Sequence, residues 1–171
     1  MVGSIFKIIP HVDADSNKLY ERLNYIRNPI ATNVCMTYGS FVSCRKPWDE
    51  MMFVKHSYLS PYNNTLQGKH FFEIVISLTQ EESGRVQVFV LCVQDINRFL
   101  ATYNDGHFQT ISAVHTNTDN LHAHIICNNI DFMTGARFSP PPHVTYEMKV
   151  GVSAWLFRHG FSGVLGVTAA A

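Results

Sequence analysis

The sequence predicts an α+β domain in which a central antiparallel sheet is covered by helices. Residues 70–78, HFFEIVISL, alternate with the period of two that marks a strand. Residues 85–103 repeat apolar side chains at helical spacing instead. Between Gln109 and Asn128, two short apolar runs flank the polar stretch TNTDN, which reads as a hairpin. The full order is strand, helix, irregular stretch, helix, strand, helix, hairpin, helix, an arrangement expected of one sheet with helices packed on it.

Taken from the N-terminus, SIFKIIPHV is a strand whose Pro10 marks its end or an edge position, and His11 beyond it is expected to be exposed at that end. DADSNKLYERLNYIRNP is a helix with cap candidates at Asp13 to Ser16 and a stop before Pro29. Leu19, Leu23 and Ile26 form its buried stripe. At about 100° per residue, Tyr25 points away from that stripe, with Lys18 and Arg22 on its exposed side. Residues 30–46 are irregular, with a turn suggested at Tyr38 to Ser40 and a short strand at Phe41 to Cys44. PWDEMMFVKHSYL is a helix with Pro47 in its first turn and Met51 and Met52 in the core, and SPYNNTLQGK is a loop.

In HFFEIVISL, Phe72, Ile74, Ile76 and Leu78 take one face, and Glu73, Val75 and Ser77 the other, where Glu73 is expected to be exposed. Val86, Val88 and Val90 would also suit a strand, but the longer repeat from Arg85 to Tyr103 favours a helix. After the hairpin, SPPPH breaks the chain, and Val144, Met148, Val152 and Trp155 mark a last amphipathic helix that stops at Gly160.

A chain of 171 residues is expected to form one domain, residues 1–171, with a substantial core, and 46% hydrophobic against 15% charged residues excludes a disordered protein. The N-terminus MVGSIFKII has Lys7 inside its apolar stretch and no cleavage pattern, so no signal peptide is expected. No apolar run approaches the roughly 18 residues of a membrane span. Cys35, Cys44, Cys92 and Cys127 form no C-x-x-C pair, as expected of free thiols in the cytoplasm. Net charge is zero, which weighs against strong electrostatic binding to nucleic acid. The distribution offsets this in part, since residues 1–70 carry eight Lys/Arg against five Asp/Glu.

Chemistry is most strongly specified by HTNTDNLHAHIICN, residues 115–128. On a strand, His122 and His124 share a face, and across the hairpin His115 falls roughly opposite His122. Three imidazoles then converge on one point, a donor set suited to a divalent ion (Mn, Mg or Zn) with positions left for water or a phosphate oxygen, the alternative being a chance cluster of exposed strand histidines. The alternative to exposure for His11 and Glu73 is a place beside that ion, as a fourth histidine and a carboxylate. No HExxH helix is present, no aspartate follows the His-x-His pair, and no cupin-like glutamate lies just downstream.

The same stretch, with its continuation NNIDFMTGARF, resembles the third motif of plasmid mobilisation relaxases of the MobA/VirD type, a branch of the HUH endonucleases. Ala123 is smaller than the usual middle residue. The resemblance implies an HUH relaxase-like fold. It implies as catalytic residue the tyrosine of LNYIRNP, Tyr25, with Tyr20 a weaker candidate. Ser77 resembles the DNA-contacting serine of the second motif, although Leu78 and Glu73 stand where an aromatic residue and a histidine are frequent. Lys18, Arg22 and Asn120 join Ser77 as DNA-binding candidates. Asn117 stands where the family has an aspartate that orients the first histidine, and Asp119 is a second candidate for that supporting role or for general base.

The implied reaction is nicking and rejoining of single-stranded DNA at a plasmid or mobile-element transfer origin. It runs through a 5′-phosphotyrosine, with accessory mobilisation proteins as further partners and no membrane. The competing expectations are a degenerate relaxase that binds DNA or a partner without cutting, and a metal-dependent hydrolase that uses activated water.

Overall fold

A computed structural model of the chain describes residues 3–12, 17–58 and 69–167. The strands are β1 (Ile5–Val12), β2 (Thr37–Ser40), β3 (Lys69–Ser77), β4 (Phe108–His115) and β5 (His122–Asp131). The helices are α1 (Asn17–Ile26), α2 (Pro47–Ser57), α3 (Val86–Ala101) and α4 (Pro142–Arg158). The strands form one sheet in the order β1-β3-β5-β4-β2, and every neighbouring pair is antiparallel. The expected α+β architecture and element order are therefore present.

Each face of the sheet has its own helical layer. Phe72, Ile74 and Ile76 of β3, with Ala123, Ile125 and Cys127 of β5, pack against Phe89, Val93, Ile96 and Leu100 of α3 and Met148, Val152 and Leu156 of α4. On the opposite face, Phe71, Ile111, Ala113 and Ile126 meet Leu19, Leu23 and Ile26 of α1 and Met51 and Met52 of α2. Burying each of the large aliphatic side chains stabilises the fold by roughly 1.5–3 kcal/mol, so the α1 stripe alone fixes which way that helix faces. All residues of β4 are buried, as expected of a strand covered on both sides.

Three local expectations are corrected. The strand in the irregular stretch is Thr37–Ser40, paired with β4, and the turn falls at Phe41, whose φ is 56°. Gly39 and Ser40 read as turn formers, but Asn97 on α3 bonds the Ser40 hydroxyl and the Tyr38 carbonyl and draws the segment into the sheet. His11 is buried, stacked on Phe71 with ring centroids 4.4 Å apart. Glu73 is fully buried rather than exposed, because α1 covers its face of the sheet and supplies a cation to it. The cap candidates Asp13 to Ser16 and nearly all of the expected loop SPYNNTLQGK lie outside the described residues. Among the described residues, no helix is long and apolar enough to cross a membrane.

Candidate active site

The hairpin brings the histidines together through its register. His115 pairs directly with His122, and His124 lies two residues further along β5, opposite Ala113 on one side and Val75 on the other. All three rings therefore project from the face covered by α1 and α2. Their centroids stand 4.7–5.2 Å apart, and one possible ligand atom from each lies within 4.8 Å of the others.

Hydrogen bonds fix which nitrogen of each ring stays available. His115 donates from Nε2 to the carbonyl of Ile26 at 2.8 Å, which leaves Nδ1 as the unprotonated atom of the neutral ring. His122 donates from Nδ1 to the Asn120 carbonyl at 3.0 Å, with the Thr118 hydroxyl at 3.2 Å. His124 donates from Nδ1 to Glu73 Oε1 at 2.7 Å, and its Nε2 is buried with no hydrogen-bond partner. A buried orphan nitrogen is costly unless something fills the site, and an ion held by three imidazoles would satisfy it. Burial lowers the pKa of His115 and His122, and the neighbouring imidazoles add to that effect, so the neutral, ligating form is favoured. The residues present thus fit a divalent cation, each ring held by a partner behind it.

Glu73 is the hub of that support. Besides His124, it accepts from His11 Nε2 at 3.2 Å and from Arg22 through both oxygens, at 2.9 Å from Nε and 2.6 Å from Nη2. Burial alone would raise its pKa, but the donors from His11, His124 and Arg22 outweigh burial and hold the carboxyl well below the usual range. It is an anion that anchors His124 and is not one of the three residues that could hold the ion.

Tyr25, near the C-terminal end of α1, reaches the same point from above the sheet. Its ring centroid lies 5.5 Å from that of His124 and 5.7 Å from that of His115, and about half of the side chain is exposed. Arg22, one turn earlier, lies over the tyrosine ring at 4.3 Å. Tyr20 points elsewhere and meets Trp48 edge-on at 5.9 Å.

The remaining candidates divide into those beside the trio and those away from it. Ser77 is directly across from His122 at the end of β3 and half-buried. Asn120 supplies the carbonyl that holds His122, while its amide donates to the Leu78 carbonyl at 3.1 Å. Lys18 is exposed on α1. Asn117 and Asp119 lie in the exposed β4–β5 turn, and neither makes a hydrogen bond or ion pair with the trio among the described residues. Arg22 forks onto Glu73 and is partly exposed.

The sequence offered Glu73 as a carboxylate near the ion only as the second reading and gave no sign of its bonds to His11, Arg22 and His124. It passed over Lys7, which is exposed on β1 and paired with Val75 in the same cross-strand row as His124. The alternation of HFFEIVISL did carry a signal. It put Glu73 on the face of Ser77, which is the face of the trio.

Comparison with known proteins identifies the family and agrees with the fold. The family model described as "Relaxase: MobA/VirD2-like, nuclease domain" matches residues 25–152. A crystal structure of the MobM relaxase domain (MOBV; Mob_Pre), Mn-bound and carrying 22 nucleotides of plasmid pMV158 oriT DNA, superposes with a TM-score of 0.65 at 12% identity, covering 99% of this chain and 94% of that one. The same domain with a 26-nucleotide oriT DNA gives a TM-score of 0.65 at 11% identity, covering 99% and 95%. At such identity these structures speak for the fold alone. No curated protein sequence gives a significant match.

Proposed function

Because the chain belongs to the MobA/VirD2-like relaxase family of nuclease domains, we propose that it nicks and rejoins single-stranded DNA at a transfer origin, with Tyr25 as the nucleophile. One observation carries the assignment to this residue: of the two tyrosines on α1, only Tyr25 places its ring against the histidine cluster.

The Tyr25 oxygen attacks the scissile phosphorus, and the bond from phosphorus to the 3′ oxygen breaks. A 5′-phosphotyrosine and a free 3′-hydroxyl result, and attack by that hydroxyl reverses the step. The phenol proton leaves to water at the half-exposed ring, and the departing 3′ oxygen takes one up. His115, His122 and His124 would hold the cation through Nδ1, Nε2 and Nε2. When bound, a divalent ion polarises a phosphate oxygen and offsets the charge that develops in the transition state. Manganese is the ion named for the similar MobM structures, which makes it the first to test. Ser77 beside His122 and Lys7 one row away face the same side and are suited to contact the DNA backbone. Zero net charge weighs against strong sequence-independent attraction to nucleic acid. The work is done in the cytoplasm, with accessory mobilisation proteins as further partners.

The test is incubation with a randomised single-stranded oligonucleotide pool and Mn²⁺, followed by denaturing electrophoresis. A covalent protein–DNA adduct that is absent in Tyr25→Phe supports the proposal. Binding without adduct supports a non-cleaving module, and cleaved DNA without adduct supports hydrolysis by activated water.

A further inference from the structure

We propose that Arg22 is a positioning residue: its guanidinium ties the Tyr25 ring to the carboxylate that holds His124. The inference rests on the reading of Tyr25 as nucleophile and concerns what fixes its direction. Arg22 precedes Tyr25 by three residues on α1, so the two side chains lie on neighbouring lines of one helix face. The guanidinium makes a two-pronged contact with Glu73, whose side chain is 1% exposed, while its own is 26% exposed. The same planar group lies over the phenol ring at 4.3 Å.

A tyrosine that is about half exposed has few neighbours to limit its swing. Here one side of the ring is closed by Arg22, and the rings of His115 and His124 stand at 5.7 and 5.5 Å. Arg22 in turn has little freedom, because both prongs end on a buried anion that His11 and His124 also hold. A chain of rigid contacts therefore runs from ligand to carboxylate to guanidinium to nucleophile. Only arginine meets both demands at once, since a lysine ammonium is a point charge that can pair with the carboxylate but cannot fork onto it and stack on a ring.

Two variants, Arg22→Lys and Arg22→Gln, test this with two measurements. The first is the environment of Tyr25, read by fluorotyrosine NMR on the metal-free protein, the resonance being assigned by its loss in Tyr25→Phe. The second is adduct formation against oligonucleotide concentration, with thermal melting as a control for folding. The expected result is a displaced or broadened Tyr25 resonance in both variants. The rate at saturating DNA should fall by about tenfold or more, while half-saturation changes less than about twofold, as expected when a reacting group is misaligned.

The opposite split, with half-saturation raised, a weaker salt dependence and an unchanged saturating rate, would make Arg22 a phosphate contact and overturn the proposal. So would an unmoved resonance in Arg22→Lys. Should the wild-type protein form no adduct, the nicking function fails, yet the resonance still decides whether Arg22 seats Tyr25.

Discussion

The carbonyl of Ile26 accepts a hydrogen bond from Nε2 of His115 at 2.8 Å, one residue beyond Tyr25. The helix that carries Tyr25 thus ends on the back of one of the three clustered imidazoles. With Arg22 reaching Glu73 from the preceding turn, α1 is fastened to the ligand set on both sides of Tyr25.

Replacing Tyr25 with Phe should abolish covalent adduct, whereas Tyr20→Phe should leave its rate within about twofold. The second ring packs on Trp48 and does not touch the trio. Gel quantification of adduct over time checks both. Adduct surviving Tyr25→Phe would move the nucleophile elsewhere.

Manganese should raise the melting temperature of the wild-type protein but not that of His124→Ala. A ligand that binds only the folded state stabilises it by about 2.7 kcal/mol at a hundred times its dissociation constant, and His124 contributes the buried orphan nitrogen. Differential scanning calorimetry with and without the ion measures the difference. An equal rise in both proteins would place the ion elsewhere.

Glu73→Gln should weaken manganese affinity by about 10–100-fold, because the neutral amide holds His124 less firmly than the carboxylate does. It should also cost roughly 3–5 kcal/mol of stability by leaving Arg22 uncompensated. The Glu73 carboxyl is held below its ordinary range in the fold, so its contribution is present above about pH 4.5 and is lost as pH falls further. Urea unfolding at pH 7, 5 and 3.5 should show that acid-side loss shrinking in the variant.

Lys55 gives a slope of the same sign on the alkaline side. It is buried on α2, donating to Asn129, and burial with the nearby Arg137 lowers its pKa from 10.5 to about 7. Between those values the unfolded chain binds more protons than the folded one, so stability should rise from pH 7 toward pH 10. Urea titrations across that range should show the slope in the wild type and its flattening in Lys55→Met.

Asn117→Asp should change manganese affinity by less than about threefold. His115 already spends Nε2 on the Ile26 carbonyl, and the turn that carries Asn117 is exposed. A large gain, measured by titration calorimetry, would mean that the turn closes over His115 in solution.

The sheet, the helices and the convergence of the histidines were legible because each depends on local periodicity. His122 and His124 sit two apart, and the polar run TNTDN fixes how His115 folds back onto them. Tyr25 stood out through resemblance, since its helix face alone reads as solvated. What eluded the sequence is long-range. Glu73 reads first as a surface residue and only second as a carboxylate near the ion until α1 is laid over it, and Arg22 looks like a free cation until Glu73 is beneath it. The strand at Thr37–Ser40 is likewise imposed by a distant partner, Asn97, against the local preference of glycine and serine.

All three imidazoles that could hold the ion come from a single hairpin, whereas the Tyr25 hydroxyl, the proposed nucleophile, is carried by a separate helix. Such a division of labour lets the side chain at position 25 change without altering the imidazoles, so long as Arg22 and the Ile26 carbonyl keep their partners. A descendant could exchange the side chain at position 25 for another nucleophilic group and still inherit an intact Lewis-acid platform. Drift in the hairpin that preserved its strand pairing would, conversely, leave the choice of attacking atom unchanged.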